Sequence, residues 1–173
     1  MARNRRTRLA IACAITAAVV LIDQATKAAA LSGLSTERRV PLLGDLLGLQ
    51  LAFNPGATLS LGASFTGLLT LLGAAIVILL VIAVVRARTV GWAVGLGLIL
   101  GGAIGNLIDR LFSPPGFGVG HVTDFLAYGT WFIGNLADIA LGAGAIVLVG
   151  VLWARRRDAT ARVAGAMIKV RRS

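Results

Sequence analysis

Cysteine and histidine are almost missing from this chain, which has one of each among its 173 residues. A single cysteine, Cys13, excludes an internal disulfide and a cysteine-based metal site. Because Cys13 falls inside an apolar run, we expect it to be a small buried hydrophobic residue. The single histidine, His121, excludes the H-E-x-x-H motif of zinc metalloproteases. The sequence therefore predicts no metal and no cofactor.

Charged residues are also scarce, at 14% of the chain, whereas 57% of the residues are hydrophobic. The mean hydropathy is +0.88. A soluble domain of ordinary composition carries about a quarter charged residues. The length allows one compact domain and little more. The chain is therefore predicted to be an integral membrane protein.

The formal net charge of +10 comes from basic residues that are grouped along the chain. One group precedes the first apolar run, one lies in a short gap, and one follows the last run: Arg3, Arg5, Arg6 and Arg8; Arg86 and Arg88; Arg155, Arg156, Arg157, Arg162, Lys169, Arg171 and Arg172. This grouping is typical of the positive-inside bias of membrane proteins. Since no base-reading motif accompanies it, nucleic-acid binding is not indicated.

Four apolar runs are each close to the roughly 20 residues that cross a bilayer. They cover Leu9 to about Leu31, Phe65–Val85, Gly91–Ile108 and about Trp131–Trp153. With every basic group on the cytoplasmic side, both termini are cytoplasmic. We expect a basic N-terminus (1–8), a membrane domain (9–153) with extracytoplasmic segments at about 32–64 and 110–130, and a basic tail (154–173) facing lipid headgroups.

The predicted fold class is all-α, with four transmembrane helices and one small extracytoplasmic β element. That element lies between the first two helices, where residues 48–54 alternate between apolar and smaller or polar side chains. Residues 113–120 contain prolines and glycines and predict a loop. The third apolar run has glycines at small-xxx-small spacings, which permit close helix approach, so we expect this helix to be central.

Four of the seven acidic residues map to one side of the membrane: Asp23, Asp109, Asp124 and Asp138. Asp23 and Asp109 lie near the outer ends of the first and third helices, and Asp124 lies in the second outer loop. Asp138 is expected about two turns into the fourth helix, or roughly 10 Å from its start. An ionisable residue within a membrane helix indicates a functional site unless a structural role explains it.

Structural explanations exist for several of these acids. Asp23 and Lys27 have the i, i+4 spacing of a helical ion pair, which we predict. Asp109 adjoins Arg110 and lies one turn from Asn106, so these residues could satisfy one another. Asp138 could be a hydrogen-bonded helix clamp. Asp124 could be an ordinary loop acid, since His121 is its only basic neighbour in sequence.

Asp124 and Asp138 suit a catalytic pair, because a loop and a facing helix can bring them together. Two carboxylates close together in a poorly hydrated site cannot both ionise cheaply, so one keeps its proton. Aspartic proteases use this asymmetry, with one member acting as a base towards water and the other as an acid. We therefore predict a protease whose water enters from the membrane interface.

The chain resembles the lipoprotein signal peptidase (signal peptidase II) family in five motifs that occur in order along most of its length. The most specific is GGAIGNLIDR at 101–110, which is similar to the family's G-G-A-x-G-N-x-x-D-R block. The others are shorter: DQATK at 23–27 resembles D-x-x-T-K, NPGA at 54–57 resembles N-x-G-A, VTDF at 122–125 resembles V-x-D-F, and NLAD at 135–138 resembles N-x-A-D.

The resemblance implies that Asp124 and Asp138 are catalytic and that other motif residues bind substrate or shape its site: Asn54, Gly56, Asn106, Asp109, Arg110, Asn135 and Ala137. The implied substrate is a prolipoprotein whose cysteine carries diacylglycerol and which is cut before that cysteine. The implied location is the bacterial cytoplasmic (inner) membrane, with the site facing the extracytoplasmic side. Membrane lipids are the other expected partners, and the protein is expected to be monomeric.

The chain departs from the family pattern at two places. Gly134 stands where an aromatic residue usually precedes the asparagine, and Thr58-Leu59-Ser60 replaces an Ala-Phe-Ser type of run. Both positions would touch substrate or line its groove, so we expect them to affect substrate or inhibitor preference.

Other functions remain as alternatives. A Ser/Lys protease would need Lys27 to be neutral, but Asp23 favours its charged form. His121 and Asp124 could bind a metal together, although a lone histidine in a glycine-rich loop is more often solvated. A proton-coupled carrier would place its acids near mid-membrane and often shows internal repeats. A catalytically idle homologue would use its acids only to hold helices together.

Overall fold

The structure is a computed structural model that describes the backbone of residues 2–56 and 63–170 and the side chains of residues 4–56 and 64–157. Along the chain, the helices and strands are α1 (Ala2–Gly33), β1 (Val40–Leu43), β2 (Leu47–Asn54), a 3-10 turn (Ala63–Phe65), α2 (Thr66–Val85), α3 (Val90–Phe112), β3 (Val122–Tyr128), β4 (Phe132–Gly134) and α4 (Leu136–Val170). The motif residue Ala57 and the departures at Thr58-Leu59-Ser60 lie outside the described residues.

Four of the described helices are long and apolar enough to cross a membrane, as the sequence predicted. Their most apolar windows differ in burial: 44% of the α3 window is buried, against 11% for α1 and α2 and 17% for α4. The central position predicted for the third helix is therefore confirmed. The outward faces of the other helices carry apolar side chains, including Leu71 and Ile146, which suit contact with lipid. The chain is a multi-pass membrane protein.

Glycines on α3 let the neighbouring helices approach its backbone. A Cβ atom added at Gly101 would lie 2.6 Å from the Val19 Cβ on α1. A Cβ atom added at Gly102 would lie 2.5 Å from the Ala137 carbonyl oxygen on α4. Neither contact is possible between real atoms, so these two positions require glycine. The close contacts bring together the ends of α1, α3 and α4 that carry Asp23, Asp109 and Asp138.

A four-stranded antiparallel sheet covers that end of the bundle, with strand order β1-β2-β3-β4. Only β1 and β2 come from the segment where a β element was predicted. The all-α class with one β element between the first two helices was therefore too narrow. Strand β3 escaped detection because its first four residues are all buried, and burial on both faces removes the alternation that identifies a strand. Asp124 accordingly lies on a strand and not in a loop.

The start of the fourth helix was also predicted too early. Residues 132–134 form β4, and α4 begins at Leu136 after an asparagine cap. The Asn135 Oδ1 atom accepts a hydrogen bond from the Asp138 N–H at 3.0 Å, and the Asp138 Oδ2 atom accepts one from the Asn135 N–H at 3.1 Å. This reciprocal pair is a capping box. Asp138 therefore lies in the first turn of α4, not two turns inside it.

The helices extend further into the basic segments than the apolar runs indicated. Helix α1 begins at Ala2 and α4 continues to Val170, so both flanking groups of basic residues are helical where the backbone is described. The expectation that Cys13 is buried was wrong, because its side chain is exposed. On a helix that can cross a membrane, a small apolar side chain gains as much from lipid contact as from the protein core.

Candidate active site

A groove of about 690 Å³ opens where the sheet meets the ends of α3 and α4 that carry Asn106 and Asp138. Both predicted catalytic aspartates, Asp124 and Asp138, line it. Five other predicted site residues line it as well: Asn54, Gly56, Asn106, Arg110 and Asn135. Its rim is apolar and exposed, with Trp131 at 84% and Phe53 at 48% exposure. The groove therefore combines a polar floor with an apolar mouth.

Asp124 is held on the floor by strand pairing and by two amides. Strand β3 places it opposite Ala52 of β2, and only 3% of it is exposed. Its Oδ1 atom accepts a hydrogen bond from Asn135 Nδ2 at 2.6 Å, and its Oδ2 atom accepts one from Asn54 Nδ2 at 3.3 Å. Each carboxylate oxygen thus has a side-chain donor.

Asp138 differs from Asp124 in that it is exposed to the groove. The capping box fixes its Oδ2 atom, and its Oδ1 atom accepts a hydrogen bond from Asn106 Nδ2 at 3.1 Å. Asn135 connects the two aspartates, because its side-chain amide donates to Asp124 and its backbone N–H donates to Asp138. A second link runs from Asn135 Nδ2 to Asn106 Oδ1 at 3.2 Å. Asn106 and Asn135 therefore fix the relative position of the two carboxylates.

The environment raises the pKa of Asp124 to about 7. Burial is the largest cause, because it disfavours the charged carboxylate, and the nearby charge of Asp138 is the second. The hydrogen bonds from Asn135 and Asn54 and the charge of Lys27 act in the opposite direction. Burial and the charge of Asp138 also raise the pKa of Tyr128. At neutral pH, a proton on Asp124 is therefore readily available.

A buried ion cluster lies behind the aspartates. Lys27 Nζ lies 2.8 Å from Asp23 Oδ2, so the predicted ion pair is present, and 3.0 Å from Asp109 Oδ2. It also donates a hydrogen bond to Asn106 Oδ1 at 3.0 Å. Only 3% of Lys27 is exposed, and Asp23 is fully buried. The lysine thus joins α1 to α3 and orients the amide that contacts Asp138.

Both carboxylates of this cluster also bond the backbone of the elements that carry the catalytic candidates. Asp23 Oδ1 accepts a hydrogen bond from the N–H of Ala137, in the first turn of α4, at 2.9 Å. Asp109 Oδ2 accepts one from the N–H of Thr123, beside Asp124 on β3, at 2.9 Å. The ion cluster therefore sets where α4 begins and where β3 lies. The role of Ala137 is steric and through its backbone, since its side chain is wholly buried.

Arg110 does not satisfy Asp109, which pairs with Lys27, so that structural explanation was wrong. Its guanidinium donates instead to the carbonyl oxygens of Pro55, at 3.4 Å, and Gly56. The Gly56 N–H donates to Asn54 Oδ1 at 3.0 Å. Arg110 therefore fixes the turn after β2, and with it the amide that bonds Asp124.

Two contributors escaped the sequence reasoning. Gln24 Nε2 lies 3.2 Å from both Asp23 Oδ2 and Asp109 Oδ1, so its amide joins the two acids. The Phe132 ring covers the small Gly134, where an added Cβ would lie 3.5 Å from Phe132 Cε2 and 3.0 Å from Asp138 Oδ2. Gln24 lies inside the DQATK motif, which was a usable signal, whereas nothing in the sequence ties Phe132 to Gly134.

Among the residues that the structure describes, no three histidine, cysteine, aspartate or glutamate side chains are grouped so that they could hold a metal ion. Asp124 and Asp138 are instead bonded by amides. Burial is the largest influence on the pKa of Asp124, and the charge of Lys27 is the smallest. The arrangement is suited to general acid–base chemistry on a water molecule in the groove.

Comparison with known proteins gives consistent results. Residues 15–154 match the sequence model of a family described as "Signal peptidase (SPase) II". The lipoprotein signal peptidase of Rhodococcus jostii (strain RHA1) is 44% identical over 135 residues, which span 78% of this chain and 68% of that protein. That of Leifsonia xyli subsp. xyli (strain CTCB07) is 42% identical over 166 residues, spanning 91% of this chain and 77% of that protein.

The fold is also similar to solved structures. A bacterial membrane enzyme determined by the in meso method at 2.3 Å resolution superimposes with a TM-score of 0.75 and 25% sequence identity, covering 85% of this chain and 90% of that one. The family match includes the second and third spans, most of the first and fourth, and the entire groove, from Ala52 to Leu141. With its aspartates, fold and relatives taken together, this chain belongs to the signal peptidase II family of membrane proteases.

Proposed function

We propose that this protein is an aspartic endopeptidase that removes the signal peptide from diacylglyceryl-modified prolipoproteins, cleaving before the lipid-modified cysteine. The observation that carries the proposal is the pair of unlike aspartates in one groove. Asp124 is buried with a raised pKa, whereas Asp138 is exposed, and a single asparagine bonds both. The lipoprotein signal peptidases among the relatives supply the substrate class.

In the proposed mechanism, Asp124 holds the proton that the pair shares and Asp138 acts as the base. A water molecule attacks the scissile carbonyl carbon while Asp138 takes a proton from it and Asp124 donates its proton to the carbonyl oxygen. The resulting tetrahedral diol then collapses. Asp138 returns its proton to the leaving amine nitrogen, the C–N bond breaks, and Asp124 regains a proton from the hydroxyl. Each aspartate ends in its starting state.

The groove's mouth supports a lipid-modified substrate. Trp131, Phe53 and Phe132 give it an apolar edge, and an aromatic edge at the end of membrane helices is typical of the membrane interface. The diacylglycerol would lie in the bilayer beside this edge while the peptide crosses the polar floor. In the proposed location, the cytoplasmic (inner) membrane of a bacterium, the site faces the extracytoplasmic side, and the chain acts as a monomer with both termini cytoplasmic.

The remaining motif residues position this chemistry. Asn54 and Asn135 hold Asp124, and Asn106 holds Asp138. Arg110 and Gly56 shape the turn that presents Asn54, while Asp109 and Ala137 anchor β3 and α4. No metal or cofactor takes part in the proposed steps.

The test is cleavage of a diacylglyceryl-modified prolipoprotein by the purified full chain in detergent, without added metal. Asp124→Asn and Asp138→Asn keep the size of the side chain and remove the titratable group. Each should lower kcat by about 100-fold or more, the lower end of what a general acid or base contributes. Asp45→Asn, at an exposed acid in the turn between β1 and β2, is the matched control and should retain full activity.

Two results would contradict the proposal. An inactive wild-type chain would indicate an idle homologue whose acids only hold helices together. An active Asp124→Asn or Asp138→Asn variant would show that the catalytic pair is misassigned. Chelator should leave the wild type unaffected, and inhibition by it would favour a metal-dependent mechanism.

A further inference from the structure

A second cavity, of about 500 Å³, lies at the end of the bundle away from the aspartates. Its lining comes from the N-terminal part of α1 and from the connection between α2 and α3: Arg5, Arg8, Val85, Arg86, Ala87 and Arg88. We call it the arginine cavity. Two segments about 80 residues apart in sequence thus bring four guanidinium groups to one concave surface.

The arginine cavity has no anion of its own among the described residues that line it. All four charged lining residues are arginines, and the two ion pairs found within the described part of the chain are those of Lys27, at the opposite end. Like charges held together repel one another, more strongly where the surrounding protein and lipid exclude water. A bound anion would remove this repulsion, so the charge pattern indicates an anionic ligand.

Two buried hydrogen-bond donors at the same end also indicate an anionic ligand. The Arg8 Nε atom and the Trp92 Nε1 atom are buried, and neither has a hydrogen-bond partner within the described part of the chain. Trp92 lies in the first turn of α3, next to the connection that lines the cavity, and Arg155 stacks on its ring at 5.9 Å. Native proteins satisfy nearly all their buried donors, so an isolated buried N–H of this kind calls for an acceptor.

We propose that the arginine cavity binds the phosphate group of an anionic phospholipid. Guanidinium groups recognise phosphate oxygens through paired, charge-assisted hydrogen bonds. The cavity lies where apolar helices end, which is the depth of the headgroups, and basic pockets between membrane helices bind anionic headgroups. Val85, which lines the cavity, is 41% exposed, and the neighbouring Val90 is 53% exposed. These apolar side chains can contact an acyl chain, which inorganic phosphate lacks.

The bound lipid would connect α1 to α2 and α3 at the end of the bundle where no ion pair among the described residues does so. The inference is independent of the proposed function, because none of the lining arginines touches the groove that contains the aspartates. Its effect should therefore be seen as lipid retention and thermal stability, with cleavage in neutral detergent unchanged.

The experiment compares two variants that lose the same charge. Arg8→Gln with Arg86→Gln removes one guanidinium from each side of the cavity. Arg6→Gln with Arg157→Gln removes two exposed arginines at the same end that do not line it. The full chain, stripped of lipid in neutral detergent, is titrated with phosphatidylglycerol, phosphatidylcholine or inorganic phosphate, and bound lipid is counted by native mass spectrometry alongside Tm.

Wild type and the control pair should prefer phosphatidylglycerol to phosphatidylcholine. The cavity pair should bind phosphatidylglycerol about tenfold more weakly or worse, since two charge-assisted contacts are lost. Equal weakening in both pairs would overturn the proposal in favour of diffuse surface charge. An equal rise in Tm with inorganic phosphate and phosphatidylglycerol would overturn the lipid assignment and leave a free-anion site. Should the cavity pair fail to fold, Arg88→Gln, at an exposed lining residue, must show the same selective loss.

Discussion

The two ends of the helix bundle contain most of the chain's charge and arrange it differently. At the acidic end, Lys27 is buried between two carboxylates, and each of those carboxylates also bonds a backbone N–H. At the basic end, four arginines share a cavity, and the buried Nε atom of one of them has no hydrogen-bond partner among the described residues. At the acidic end, the lysine is paired with carboxylates of the same chain. At the basic end, the arginines have no anionic partner among the described residues that line the cavity, so they suit an anionic ligand.

The two ends of the bundle use their few charged residues in two different ways. Paired charges that are fully hydrogen-bonded can position secondary structure, because moving either partner would leave a buried charge uncompensated. Unpaired charges near the membrane surface remain available for a ligand. Substitutions that remove a single charge from each end therefore distinguish charges that position secondary structure from charges that are available to a ligand.

The largest expected effect on stability is at the acidic end. Lys27→Met leaves Asp23 and Asp109 buried without a cation, so we expect a loss of about 3–5 kcal/mol in the free energy of unfolding. Arg88→Met, at an exposed arginine of the basic end, should change it by less than about 0.5 kcal/mol in lipid-free neutral detergent. Denaturant titration of both variants measures the difference. Similar losses in the two would contradict the distinction between the ends.

A second prediction separates the two roles of Asn135. Asn135→Ala removes both the helix cap and the bond to Asp124, whereas Asn135→Ser retains a side-chain oxygen for the cap but is too short to reach Asp124. Both should lose activity, by about tenfold or more, because the hydrogen bond that positions Asp124 is lost. Only Asn135→Ala should also lose about 1 kcal/mol of cap stability. If Asn135→Ser remains fully active, the asparagine serves only as a cap.

The pH dependence follows from Asp124. The folded-state pKa is raised to about 7 from an ordinary value of 3.8, so the folded protein binds more protons than the unfolded chain between those values. The free energy of unfolding should therefore decrease as pH rises from about 4 to about 7 and level off above, where both states are ionised. Asp124→Asn should remove this decrease. A wild-type profile that rises over this range would contradict the assignment.

Activity should fall as pH rises through about 7, because Asp124 then loses the proton that it donates. Since the hydrogen bond from Asn135 lowers the pKa of Asp124, Asn135→Ser should shift this fall to higher pH. The rate of prolipoprotein cleavage between pH 5 and 9 measures both effects, with Asp45→Asn expected to follow the wild type. An unshifted profile in Asn135→Ser would show that the amide does not tune the acid.

The smallest expected effect concerns Gly134, which stands beside the catalytic candidate Asp138. A Cβ there would lie 3.0 Å from Asp138 Oδ2, so Gly134→Ala should displace that carboxylate by a few tenths of an ångström. We expect a decrease in kcat of about tenfold at most, with little change in stability. Gly150→Ala, in α4 with open space around it, is the matched control. An unchanged rate would mean that Asp138 tolerates the shift.

Much of the site could be predicted because its members lie in short motifs with a fixed spacing. The i, i+4 spacing of Asp23 and Lys27 is such a local property. The contact between Lys27 and Asp109 is not local, since it joins residues 82 apart in the chain. Arg110 illustrates the same limit: its neighbour in sequence is Asp109, yet its guanidinium bonds the turn after β2.

The sequence by itself determined the membrane class and the four spans and predicted the acidic pair, because hydropathy and motif spacing are carried by neighbouring residues. Only the tertiary structure decided that Asp124 lies on a buried strand, that Asn135 joins it to Asp138, and that arginines from two distant segments share a cavity. These features depend on which elements pack together. Packing brings distant residues into contact, and burial then raises the pKa of Asp124.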